Sequence, residues 1–136
     1  MASKPIHIKV ASHPENLKQI REAITDVTSK AGFSKEIAGS IILAVDEACS
    51  NVIKHSCQHD HTKEIILEIE PDKKCLTISI IDDGIKFDVD SVEARDINEV
   101  RPGGLGLYIM EQVMDKVEYS QTPDGLNKLK LTKNLK

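Results

Sequence analysis

The sequence holds no Trp, two Tyr and two Phe among 136 residues. That poverty excludes the single-strand nucleic-acid binders that stack bases on aromatic platforms. It also leaves the core to Ile, Leu, Val and Ala. A domain of this length buries roughly two-thirds of its unfolded surface, so an aliphatic core suffices. Cysteine is scarce too: Cys49, Cys57 and Cys75 are odd in number and scattered. No disulfide framework can be read from them, and a reducing cytoplasm is the expectation. No stretch approaches the roughly 20 apolar residues of a membrane span, and Met1-Ala2-Ser3-Lys4-Pro5 lacks a signal-peptide core. Nor is there a basic excess. Eighteen Lys and Arg against 22 Asp and Glu give a net charge of −4, which does not suit a general nucleic-acid binder. The expectation is one domain over residues 1–136, cytoplasmic, touching neither nucleic acid nor membrane directly.

What is present is strong periodicity. Ile6 to Val10 alternates as a strand. Ser12-His13-Pro14 reads as a helix entry, with Ser12 as a capping candidate. Leu17, Ile20, Ile24, Val27 and Ala31 then form one helical stripe that stops at Gly32. Ser34 opens a second helix to about His55, with Ile37, Ile41, Ala44, Val45, Ala48, Val52 and Ile53 on a broad apolar face. Ser56 to Thr62 reads as a loop. Glu64 to Glu70 and Leu76 to Ile81 read as a hairpin turned by Pro71-Asp72-Lys73. Asp82 to Gly103 has weak periodicity, with one short helix expected around Ser91 to Glu99. Gly104 to about Met114 is a helix with Leu105, Tyr108, Ile109 and Val113 inward. Lys116 to Ser120 and Leu126 to Leu131 are the last strands, joined by Pro123-Asp124-Gly125. Cys49 and Cys75 read as small core residues. The fold class expected is α/β: a two-layer α/β sandwich, its mixed, mostly antiparallel sheet covered by helices on one face.

Three short patterns carry chemistry. Glu47 and Asn51 stand four apart on the second helix, about 6 Å along its axis and on nearly one side. A carboxylate there can accept a proton, and an amide oxygen can ligate a hard cation such as Mg²⁺. An interior Asn is unfavourable in a helix, so its placement needs a reason; a solvated polar stripe is the plain alternative. Asp82 ends an apolar strand two residues before Gly84. As an acceptor only, an ionised carboxylate can choose an exocyclic amine, as on adenine, over a carbonyl; a simple turn is the alternative. Arg101-Pro102-Gly103-Gly104-Leu105-Gly106-Leu107 runs straight into a helix, where free backbone N–H groups can meet a phosphate. Neither a full Rossmann fingerprint nor a P-loop is present. His55, Cys57, His59 and His61 lie close together and could ligate Zn²⁺, but the spacing lacks a second Cys/His pair.

In order and placement these patterns resemble the N, G1 and G2 boxes of the Bergerat-fold (GHKL) ATPase superfamily. The N box spans about 43–55, the G1 box 82–88 and the G2 box 103–107. Glu47-Ala48, Asn51 and His55 match E-A-x-x-N-x-x-x-H. Asp82, Gly84, Phe87 and Asp88 match D-x-G-x-x-F-D. Gly103 to Glu111, then Met114, Asp115 and Val117, match G-G-L-G-L-x-I-M-E…M-D-x-V. Together they resemble the anti-sigma factor serine/threonine kinases of bacterial partner switching, over about residues 5–132 and most specifically in the last third.

The resemblance implies ATP and Mg²⁺ as cofactors. Glu47 would be the general base and Asn51 the Mg²⁺ ligand. Asp82 and Gly84 would bind adenine. Gly103, Gly104, Leu105, Gly106 and Leu107 would bind phosphates, and Arg101 the γ-phosphate, with Arg95 as its rival. Residues 88–102 would form a lid, short by family habit. Lys86 stands where the family has a second Gly and is expected to face solvent. With so few aromatics, adenine would lie among aliphatic side chains. The implied partners are an anti-sigma factor antagonist, a sigma factor and a second copy of the chain. Two readings stay open beside the kinase with a sigma partner: an ATP- or ADP-responsive binding regulator without significant kinase activity, and a kinase with another target.

Overall fold

The computed structural model describes residues 5–86 and 104–135, with 104–108 as backbone only. The expected helix around 91–99, the lid, Arg95, Arg101 and Gly103 lie outside the described residues.

Strand β1 (Ile6–Ala11) leads through a 3₁₀ turn (Pro14–Asn16) into α1 (Leu17–Ala31). The cap of that turn is His13 rather than Ser12: the His13 ring accepts from the Glu15 N–H, while Ser12 is buried. Ile20, Ile24 and Val27 of α1 are buried, and the helix stops where Gly32 turns left-handed (φ 92°). Ser34 caps α2 (Lys35–Asn51), its hydroxyl accepting from the Ile37 N–H at 3.2 Å. The two helices are tied at 2.7 Å by Arg21 and Asp46.

The second helix does not simply run on to His55. After Asn51 it widens into a π-turn, Val52–Ser56, closed by the Cys57 N–H donating to the Val52 carbonyl at 2.7 Å. Ser56, expected in a loop, is the last residue of that turn.

Then come β2 (Glu64–Pro71), β3 (Cys75–Asp82), α3 (Gly104–Val113), β4 (Lys116–Gln121) and β5 (Asn127–Asn134). The sheet order is β1-β2-β3-β5-β4. Every neighbouring pair is antiparallel. The strands β3 and β4, joined through α3, run parallel but are not neighbours, because β5 returns between them. The two-layer α/β sandwich is thus as expected, and its sheet is antiparallel throughout the described strands.

Alternation decides which face is covered. Ile65, Leu67 and Ile69, with Leu76, Ile78 and Ile80, Leu129 and Leu131, share one core with the buried stripes of α1 and α2. The other face presents His7, Lys9, Glu68 and Lys130. Cys49 is fully enclosed, but Cys75 alternates with Leu76 onto the outward face and is only half-buried, so it is not a core residue. Among the described side chains, Met110 of α3 and Met114 just beyond its end are buried, while Ile109 and Val113 are half-buried. The side chains of Leu105 and Tyr108 lie outside the described residues.

Candidate functional site

A cavity of about 270 Å³ opens where the end of α2 faces the inner side of the sheet. Ala48, Val52, Ile80, Met110 and Leu129 give it an apolar lining. Asn51, His55, Ser56, Asp82 and Tyr119 supply the polar groups. Ile85 and Lys86 stand at its edge, and Ile85 is 58% exposed. An apolar pocket with a few convergent polar groups is how small-ligand sites are usually built.

Asp82, 4% exposed, is the most deeply set of these. It ends β3, where the strand leaves the core, and its Oδ1 accepts from three donors. These are the Ser56 hydroxyl at 2.5 Å, the Gly84 N–H at 2.8 Å and the Asn127 side-chain amide at 3.1 Å. The following turn is pinned by the Glu64 N–H donating to Asp83 at 2.9 Å and by the Ile85 N–H donating to the Ser56 carbonyl at 2.8 Å. Gly84 is required here, because a Cβ at that position would overlap the Ser56 carbonyl.

Asn51 lines the cavity and is the last residue of α2 proper. Glu47, one helical turn earlier, is half-buried and does not line it. Gly104, Leu105, Gly106 and Leu107 open α3, whose Met110 meets the cavity. The first four N–H groups of any helix lack intrahelical partners and favour anions. Lys86 is exposed yet lines the edge, its ammonium close to Gly125 in the β4–β5 turn.

The structure therefore brings Asn51, Asp82 and Gly84 to one place and leaves Glu47 beside it. It adds three residues that sequence reasoning missed. Asn127 stands opposite Asp82 in the β3–β5 register, a pairing no local pattern encodes. Ser56 reaches Asp82 only because of the π-turn. Tyr119, one of two tyrosines, makes the wall not wholly aliphatic. The histidine cluster disperses. His55 lines the cavity, Cys57 is buried, and His61 lies against His13 with ring centroids 4.1 Å apart. Among the described residues no three His, Cys, Asp or Glu side chains gather to hold a metal. No described helix is long and apolar enough to cross a membrane.

A sandwich with this cavity, read from a helix-borne Asn and a strand-end Asp, has the build of a nucleotide-binding ATPase domain. The chain belongs to the histidine kinase-like ATPase domain family, whose model matches residues 10–133. Within it, the chain is 31% identical over 124 residues to the serine-protein kinase RsbW of Bacillus licheniformis, covering 85% of this chain and 78% of that one. It is 30% identical over 120 residues to RsbW of Bacillus subtilis (82% and 75%). Against RsbW of Listeria monocytogenes serovar 1/2a it is 31% identical over 121 residues (83% and 77%). Membership at this level makes it a protein serine kinase that uses ATP.

Proposed function

We propose that the protein phosphorylates a Ser of an anti-sigma factor antagonist with ATP, and otherwise sequesters a sigma factor, in a partner switch. The observation that carries this reading is the meeting of Asn51 and Asp82 on one largely apolar cavity, with Glu47 one helical turn outside it. Adenine would enter the cavity and give its amino group to Asp82. Gly84 would serve the base indirectly, by letting the turn close against Ser56 and by giving its N–H to Asp82. A cavity smaller than the roughly 300–1,000 Å³ typical of whole-ligand sites suits a base whose phosphates lie beyond it.

Asn51 offers one amide oxygen, which fits Mg²⁺: that ion takes few protein ligands and completes its shell with phosphate and water. When bound, it would neutralise phosphate charge. Gly103, Gly104, Leu105, Gly106 and Leu107 would present backbone N–H groups to the phosphates, and Arg101 would meet the γ-phosphate. Residues 88–102 would cover the site. Phosphoryl transfer is mostly positioning and charge neutralisation. The acceptor serine oxygen bonds to the γ-phosphorus, the bond to the β–γ bridging oxygen breaks, and ADP leaves. Glu47 takes the serine proton, and its place outside the cavity suits an acceptor arriving from a docked protein. The functional unit would be a homodimer of single domains spanning 1–136, working in the cytoplasm.

The test is phosphotransfer. Incubated with labelled ATP, Mg²⁺ and the antagonist, the protein should label one antagonist serine. Glu47→Ala should slow that labelling by roughly 10²–10⁴-fold, the usual worth of a general base. Absent label, or label undiminished in the variant, contradicts the proposal.

A further inference from the structure

Ser56 and Asn127 stand 71 positions apart yet converge on one oxygen. Asp82 Oδ1 accepts from the Ser56 hydroxyl, from Asn127 Nδ2 and from the Gly84 N–H. The same Asn127 nitrogen donates to the Ile85 carbonyl at 2.9 Å and comes within 3.2 Å of the Ser56 oxygen. Ser56 has a second acceptor in the Ile85 carbonyl, at 3.4 Å, but Asp82 is nearer by far. Among the described residues, none donates to Asp82 Oδ2. Asp82 and Ser56 line the cavity, and Asn127 does not.

A carboxylate held this way has one direction left to offer. Turning it would break three hydrogen bonds at a buried site, where unpaired polar groups are costly. The device depends on the π-turn, which brings Ser56 under the end of β3, and π-turns of this sort recur at functional sites. We propose that Ser56 and Asn127 are positioning residues: they fix Asp82 so that only Oδ2 meets the ligand. That arrangement sets the preference for a purine carrying an amino group at C6 over one carrying a carbonyl there. The proposal rests on the reading of this cavity as the adenine pocket.

The experiment measures dissociation constants of ADP and IDP by calorimetry, because the two differ only along one edge of the base: an amino group at C6 beside a bare N1 in ADP, a carbonyl at C6 beside an N1–H in IDP. The wild type should prefer ADP by about tenfold or more, the worth of one lost hydrogen bond at a buried charged acceptor. Ser56→Ala and Asn127→Ala should each cut that ratio by about threefold or more, and Ser56→Thr, which keeps the hydroxyl, should restore it. Partial unfolding would weaken both nucleotides together and leave the ratio unmoved, so a merely structural role is distinguished. A selective wild type with unchanged ratios in both alanine variants overturns the proposal and leaves the adenine pocket standing. A change in one variant alone removes the other residue from the role. A wild type indifferent between ADP and IDP overturns the adenine reading itself.

Discussion

Cys49 sits on the buried face of α2, wholly closed to solvent. Burial, and secondarily the Asp46 carboxylate, push its thiol up from 9.0 to about 12. A raised thiol pKa means the folded state keeps its proton while the unfolded chain ionises. Folding is therefore unaffected by this group below pH 9 and loses stability as pH rises from 9 toward 12. The loss is about 1.4 kcal/mol per pH unit. Denaturant unfolding of wild type and Cys49→Ala across that window should show the wild-type advantage shrinking at about this slope; parallel curves would contradict it. Single residues also mark how far the sequence could be read. Asp82 was legible because a carboxylate closing an apolar strand before Gly is unusual. Ser56 and Asn127 were not, because an ordinary Ser and an ordinary Asn become informative only when the chain brings 56, 82 and 127 together.

At the scale of elements, α1 and α2 follow their sequence signals closely: apolar spacing sets the buried stripe, and Gly32 and Ser34 mark stop and start. The cap at Ser34 should be worth about 1 kcal/mol. Ser34→Ala should lower unfolding stability by that amount and Ser34→Asp should preserve it; no loss in the alanine variant would mean that packing alone holds the start of α2. The π-turn was the least legible element. Apolar periodicity does not distinguish an i to i+5 bond from an i to i+4 bond over one turn, and Val52 and Ile53 suit either. That one-residue difference is nevertheless what carries Ser56 to Asp82.

Over the whole molecule, the helix-on-sheet layering was readable from strand alternation and helical stripes, whereas the strand order was not. The return of β5 between β3 and β4 is a tertiary fact, and it matters because it sets Asn127 opposite Asp82. The acidic net charge, −4, is no obstacle to a polyanionic ligand when the groups that meet it are local ones. Nor does the shortage of aromatics prevent base binding: the cavity combines an aliphatic floor with Tyr119 in its wall and the fixed Asp82 carboxylate. That this cavity receives the adenine of ATP is the claim on which the rest depends. Calorimetric titration of Mg²⁺-ATP into the wild type and Asp82→Asn tests it most directly. The account predicts at least about tenfold weaker binding to the variant, and equal affinity for the two proteins would contradict it.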